Sequence, residues 1–327
     1  MMAKKKILAV PENDIFLKRD VAILRNYFNI RTAPGFDRKK PITSTLKILK
    51  GTLWADLTFS RFADIHAFLA VLCSKIFRKK SIVIVAGYDV AKVPEIGYGI
   101  MLHPILSRMV KYALKHTDRL FAVSEFNKKE ILKYVNRKDI PVVYGLNAVD
   151  YNKFEPSGAK EELVITVGFI RHATIKLKGF ETFLKAAKYL PNVKFALIGN
   201  CSDNSIEYLK AIAPVNVSFA SDEALLKWYQ KARVYCQLSY YESFGVALAE
   251  AMSCECVPVV TNNGALPEVA GDTGFYVPYG DAEATAEAIK RGLNSDKGKQ
   301  ARDRIKRMFP LERRKRELVS EVEDLLK

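Results

Sequence analysis

The sequence predicts an α/β protein of two Rossmann-like domains, and three observations carry that expectation. Short β-branched runs alternate with longer amphipathic ones along the whole chain, the rhythm of parallel sheets covered by helices on both faces. At 327 residues the chain exceeds the roughly 250–300 residues at which single hydrophobic cores stop growing. The rhythm also restarts after 146–158, where Asn, Asp, Pro and Gly follow closely on one another, so the linker is placed there.

The elements follow in order. The first half reads as strand 6–10, then helix 16–28 with Phe16, Asp20, Ile23, Leu24 and Tyr27 at helical spacing. A mostly apolar helix 64–77 precedes the basic cluster Arg78-Lys79-Lys80 and strand 81–86. Helix 105–116, strand 119–123, a helix capped by Ser124 and running to 134, and a short strand 141–144 complete it. In the second half, strands 163–167, 193–198, 215–219, 233–237 and 256–260 alternate with helices 179–189, 205–211, 222–232, 243–252 and 281–293. A single long helix is expected from 300 to the end. The resulting division is 1–150, 151–299 and 300–327.

Composition removes several function classes. Hydrophobic residues at 49% and charged residues at 27% are ordinary globular values. The longest apolar stretches, 67–73 and 81–87, fall far short of the ~20 residues of a spanning helix. Residues 1–6 are basic, but the apolar segment behind them is only 7–11, too short for a signal peptide. Cys73, Cys201, Cys236, Cys254 and Cys256 are scattered and form no Cys-x-x-Cys, which points to a reduced, cytoplasmic protein. Cys254 and Cys256 read as buried filler rather than a ligand pair. Histidines at 66, 103, 116 and 172 stand too far apart for a structural zinc site.

Charge is the unusual feature. The chain carries +16, which asks for an anionic partner. Residues 1–158 hold 28 Lys and Arg against 14 Asp and Glu, net +14, while 159–327 are nearly balanced at 24 against 22. Nucleic acid would account for such an excess, yet no zinc finger, RRM-like aromatic signature or helix-turn-helix is visible.

The most informative stretch runs from Tyr240 to Met252, after a strand and into a helix. Ser243 is a natural N-cap, and Gly245 permits close backbone approach. The unpaired amides of Phe244–Val246 and the positive end of the helix suit a diphosphate. Glu242, just ahead of the helix, can accept hydrogen bonds from sugar hydroxyls. Glu250 lies about 10 Å along the axis with its side chain leaning back, the reach from a diphosphate to a ribose. Its place inside the apolar run 246–252 argues for a partner. The plain alternative is one loop carboxylate and one exposed helical carboxylate.

The string Glu242-Ser243-Phe244-Gly245 to Glu250, with Val257-Pro258-Val259-Val260, Gly264, Pro267-Glu268 and Thr273-Gly274, resembles the donor-site signature of retaining family 4 glycosyltransferases of group 1. The resemblance extends through Val167-Gly168, Lys178-Gly179, Leu197-Ile198-Gly199 and Asn147-Ala148-Val149-Asp150. It is specific over 118–293 and is one of element order over 1–117. It implies the GT-B fold: an acceptor-binding domain over 1–150 and a nucleotide-sugar donor domain over 151–299, facing a cleft. The 300–327 helix is implied to return to the first domain.

By that resemblance Lys178 binds the donor diphosphate. The family's second cation position is Phe169 here, so Arg171 is assigned to it, with Lys176 as competitor. Gly168 belongs to the same loop. The amides of Ser243, Phe244, Gly245 and Val246 are implied to hold diphosphate and sugar, Glu242 the sugar and Glu250 the ribose. The base is placed against Gly199, Asn200 and Phe219 through Ser221. In the first domain the family's glycine-rich turn is replaced by Pro11-Glu12-Asn13-Asp14, and the place of its histidine falls near Asp89. Asp89 is read either as a group receiving the acceptor hydroxyl or its proton, or as a turn-forming cap.

The implied reaction is sugar transfer with retention by front-face displacement, in which the leaving diphosphate takes the proton. No cofactor or metal is expected, and the nucleotide-sugar is a co-substrate. An epimerase or a phosphorylase on the same fold is the rival. The basic first domain suggests an anionic or lipid-linked acceptor and peripheral contact with the inner face of a membrane. A generally Lys-rich solvated surface is the alternative to that.

Overall fold

The computed structural model describes residues 4–327. They divide into two compact units, one running to Leu146 and completed by Glu312–Lys327, the other spanning Asn147–Leu311. No described helix is long and apolar enough to cross a membrane.

The first unit is built on β1 (Lys6–Val10), β2 (Asn29–Thr32), β3 (Leu57–Arg61), β4 (Lys80–Val85) and β5 (Arg119–Ala122). These form one parallel sheet in the order β2-β1-β3-β4-β5. β3 is buried along its whole length and β1 and β4 from their second residue onward, as expected where helices cover both faces of a parallel sheet. Ile7, Phe59, Ile84 and Phe121 enter one core with Leu318 and Val322 of the C-terminal helix. Val83, Val85 and Ala122 face the other, against Ala67, Val71 and Val110. Side chains alternate between the two cores along β4 and β5, as a period of two requires.

The second unit contains β6 (Glu161–Val167), β7 (Lys194–Ile198), β8 (Val217–Ala220), β9 (Ala232–Gln237), β10 (Val257–Thr261) and β11 (Phe275–Val277). All pair in parallel, in the order β11-β10-β9-β6-β7-β8. Chain order therefore runs outward in both directions from the β6–β9 pair.

Several sequence-based expectations change. The segments 29–32, 41–54 and 57–61, unassigned from sequence, form β2, a helix Pro41–Trp54 and β3. The strand expected over 141–144 is a single bridge of Val142 to Ala122, followed by a turn at Tyr144–Asn147. The helix expected from 300 to the end is two, Lys297–Met308 and Leu311–Leu326. The break falls at Pro310, which has no amide hydrogen and turns the preceding residue out of the helical region. The two pieces belong to different units.

The last helix is fastened by charge as well as packing. Arg314 donates to Asp20 Oδ1 through Nε at 2.9 Å and Nη2 at 2.7 Å. Arg61, the last residue of β3, donates to Asp20 Oδ2 at 3.3 Å. All three side chains are buried, so the two guanidiniums depend on the one carboxylate for compensation.

Candidate functional site

Open α/β sheets bind ligands outside the carboxyl ends of their strands, where the strand order reverses. In the second unit that point lies between β6 and β9. The segments leaving those two strands carry Lys178 and Glu242.

After β6 the chain passes through Gly168 into the short helix His172–Lys178, which ends on Gly179 at φ +67°. A Cβ at Gly179 would lie 2.1 Å from the Leu238 carbonyl oxygen. Glycine alone fits both the backbone angle and the space, and it seats the helix end, with Lys178, against the chain leaving β9. Glu242 is held from behind in a similar way. Gly264, at φ +61°, approaches so closely that a Cβ would be 2.2 Å from the Glu242 carbonyl oxygen, and that oxygen accepts the Ala265 amide at 2.8 Å. The outcome is a direct contact: Lys178 Nζ donates to Glu242 Oε2 at 2.7 Å. Both side chains stay partly open, at 25% and 17% exposure, within reach of a ligand.

Gln237, which sequence reasoning missed, braces the pair. Its Nε2 donates to Glu242 Oε2 at 3.2 Å and to Ser239 Oγ at 2.9 Å, and its Oε1 accepts from Tyr235 Oη at 2.7 Å. Tyr235, Gln237 and Ser239 are buried. Burial, followed by the charges of Glu242 and Glu250, raises the Tyr235 phenol well above its usual pKa, so it remains a donor. The available signal was a polar residue closing the strand Ala232–Gln237 directly after its buried Val234-Tyr235-Cys236 run.

The helix beyond Glu242 opens later than its sequence suggests. It spans Val246–Ser253, capped by Gly245 with no side-chain hydrogen bond, so Ser243 is not the N-cap. The Gly245 carbonyl accepts the Ala249 amide at 3.0 Å. The amides without an intrahelical partner are therefore the four of Gly245, Val246, Ala247 and Leu248, so Gly245 and Val246 stay in the expected set and Phe244 leaves it. The reason is Gly245 itself, whose φ of +93° lies outside the helix and postpones its start. Phe244 is buried, with its ring 5.1 Å from that of Phe309, edge to face, and offers only its backbone outward. Gly245 is adjacent to Glu242: a Cβ there would lie 3.7 Å from Glu242 Cγ.

The other assigned residues stand at graded distances from this centre. Gly168 neighbours Lys178, since a Cβ on it would lie 3.7 Å from Lys178 Cγ, and Gly199 packs on the Gly168 carbonyl. Glu250, half-buried, accepts from Tyr229 Oη at 3.4 Å. Arg171 starts the short helix; its side chain is exposed, with the guanidinium 6.0 Å from the Phe169 ring. Lys176 is exposed on the same helix, and its carbonyl accepts from Tyr279 Oη at 2.7 Å. Asn200 Nδ2 donates to Asp222 Oδ1 at 2.5 Å. Phe219 packs half-buried against the core. No described contact joins Arg171, Lys176, Asn200 or Phe219 to the Lys178–Glu242 pair.

Of the two readings of Asp89, the geometry favours the turn-forming cap over the acceptor contact. It is wholly buried in the first unit. Its Oδ2 accepts the amides of Ala63 at 2.9 Å and Ala86 at 3.2 Å, and its Oδ1 that of Gly87 at 2.7 Å. Burial pushes its pKa up, while the hydrogen bonds from Ala63, Gly87 and Ala86 oppose that rise. A carboxylate with both oxygens committed and no exposed face shapes the turn after β4 and has nothing to offer an acceptor hydroxyl.

Among the described residues no group of three or more His, Cys, Asp and Glu side chains could hold a metal ion. Cys254 and Cys256 are free and buried. Burial pushes their thiols up to about 12 and about 11, and Cys256 Sγ donates to the Tyr229 and Ala232 carbonyls.

Residues 150–308 match the model of the glycosyl transferases group 1 family. The O-antigen chain mannosyltransferase B of Escherichia coli is 38% identical over 80 residues, 24% of this chain and 21% of that one. The capsular polysaccharide biosynthesis glycosyltransferase CapM of Staphylococcus aureus is 29% identical over 236 residues, 63% of this chain and 61% of that one. The chain thus spans less than two thirds of either relative. The structure of Anabaena Alr3699/HepE in complex with UDP superposes with a TM-score of 0.80 over 98% of this chain and 100% of that one, at 14% identity. The fold is the two-domain α/β arrangement of GT-B glycosyltransferases.

Proposed function

We propose that the chain is a retaining family 4 glycosyltransferase that moves a sugar from a nucleotide-sugar to an acceptor hydroxyl without a metal ion. The observation that carries this reading is the Lys178–Glu242 contact of 2.7 Å beside the opening of helix Val246–Ser253. A cation and four unpaired amides lie beside the same carboxylate, and a diphosphate fits there. A carboxylate is already engaged at its edge, where the sugar would hang. UDP in the Anabaena neighbour supports a nucleoside diphosphate as the ligand. The names of the two relatives, O-antigen chain and capsular polysaccharide, favour a glycan acceptor.

On entry the donor diphosphate takes Lys178 Nζ from Glu242. Glu242 turns to the sugar hydroxyls, still held by Gln237. Arg171 swings from its exposed position onto the diphosphate, with Lys176 as its competitor. Glu250 receives the ribose, and the loops bearing Gly199, Asn200 and Phe219 receive the base. The acceptor hydroxyl attacks the anomeric carbon on the face from which the diphosphate leaves. The C–O bond to phosphate breaks, and the departing oxygen takes the hydroxyl proton. Lys178, Arg171 and the helix amides stabilise the charge that develops on the leaving group, which is the main catalytic contribution.

The test is a panel of radiolabelled UDP-, GDP- and ADP-sugars. One donor is expected to bind and release its nucleoside diphosphate, with the rate unchanged by EDTA and the anomeric configuration retained by NMR. Binding of none of them, or release of an epimerised nucleotide-sugar, would overturn the reading.

A further inference from the structure

Helix Pro41–Trp54 has two apolar sides, and only one of them faces the protein. Ser44, Ile48 and Thr52 are buried against the first unit. Ile42, Leu46, Leu49 and Leu53 recur at i, i+4, i+7 and i+11, which places them within about 60° of one another at ~100° per residue. Ile42 is 75% exposed, Leu53 51% and Leu46 45%, with Leu49 half-buried beside them. Single exposed leucines are common on protein surfaces, but a continuous stripe along a fourteen-residue helix marks an interaction surface.

Charge identifies the partner. Between Asp37 and Asp56 the chain carries Arg38, Lys39, Lys40, Lys47 and Lys50 and no acid. All five are exposed, and none belongs to an ion pair among the described residues. Lys50 and then Lys47 lie on one side of the stripe, about 40° and about 100° beyond its edge at ~100° per residue. At the helix end, Arg31 lies 4.2 Å and Lys6 5.8 Å from the Trp54 ring, adding two cations and an aromatic amphiphile. Ahead of the helix, Phe36 and Arg38 share an apolar groove of about 580 Å³ with Phe68, Leu69, Ile105 and Met109, and Ile105 is 70% exposed. A second copy docked symmetrically on this face would set like charges against each other. A surface that is anionic outside and apolar beneath meets both requirements.

We propose that this helix lies in the interface of an anionic lipid bilayer, with Ile42, Leu46, Leu49 and Leu53 among the acyl chains and the lysines and Arg38 at the headgroup phosphates. This deepens the acceptor side of the function proposed above and rests on it only for the purpose of such docking.

The test uses the whole chain without donor. Sedimentation is measured with vesicles of phosphatidylcholine alone and of phosphatidylcholine mixed with phosphatidylglycerol, over a series from about 0.05 to 0.5 M salt. Binding is expected to the anionic vesicles and to weaken steeply with salt. Lys47→Glu with Lys50→Glu should lower partitioning by about 25-fold or more, at about fivefold per basic residue. Leu46→Ser with Leu53→Ser should lower it roughly tenfold. Both pairs are exposed, so an unchanged melting temperature confirms folding. Equal binding to neutral vesicles, no binding to either, or no change in the leucine variant would overturn the proposal. So would a leucine variant that only converts a dimer to a monomer in sedimentation velocity. Vesicle binding by a chain that turns over no nucleotide-sugar would leave the docking intact and refute the transferase reading alone.

Discussion

The two units use the same topological feature in opposite ways. In each, the strand order reverses beside the first strand of the sheet, at β1–β3 in one and β6–β9 in the other. In the first unit the carboxyl end of β3 is closed by Arg61, locked onto buried Asp20 and shared with Arg314. In the second, the corresponding place holds Lys178 and Glu242, paired but partly exposed. One charge cluster is sealed and serves the fold; the other is open and can exchange its partner for a ligand. Burial separates the two cases more clearly than residue type does.

The largest effect that could break this comparison is in the sealed cluster. Asp20→Ala leaves the Arg61 and Arg314 guanidiniums buried without the carboxylate they share and should cost about 3–5 kcal/mol, read as a drop in the melting transition of the first unit. A loss below about 1 kcal/mol would show that water reaches the cluster and that it is not sealed.

Next comes the open pair. Lys178→Ala and Glu242→Ala should each lower turnover by roughly 10²–10³-fold with little change in thermal stability, measured as nucleoside diphosphate release. If either variant instead unfolded while the donor rate per folded molecule held, the pair would be a structural bridge like the first.

The smallest effect concerns Asp89. Asp89→Asn removes acceptor capacity from a carboxylate that serves three backbone amides and should cost about 1–3 kcal/mol of stability. Turnover per folded molecule should stay the same. A fall of ~10²-fold or more would return Asp89 to the chemistry.

Much of the second unit was legible because its signals are local. The β-branched runs, the Glu242-to-Glu250 phrase and the Lys178-Gly179 step each lie within one turn or loop. Gln237 was not legible, because its role depends on the chain leaving β9 folding back over its own strand. The start of helix Val246–Ser253 was misplaced because Ser243 has cap chemistry, whereas the backbone angle of Gly245 decides where the helix begins. In the first unit, helix Pro41–Trp54 escaped notice because its apolar residues are split between a buried face and an exposed one, which blurs a single-face periodicity. Asp20 fell on the helical face expected to be buried, but its partner Arg314 lies 294 residues away, beyond any sequence window.

That separation bears on how the molecule is made. A ribosome adding about 5–20 residues per second finishes the whole second unit before it emits Arg314 and the helix that contributes Leu318 and Val322 to the first core. For a quarter of a minute to a minute after its synthesis, Asp20 has no Arg314 to meet. The domain that begins the chain is therefore the last to be completed, and until then the core face that Leu318 and Val322 cover stays open to water.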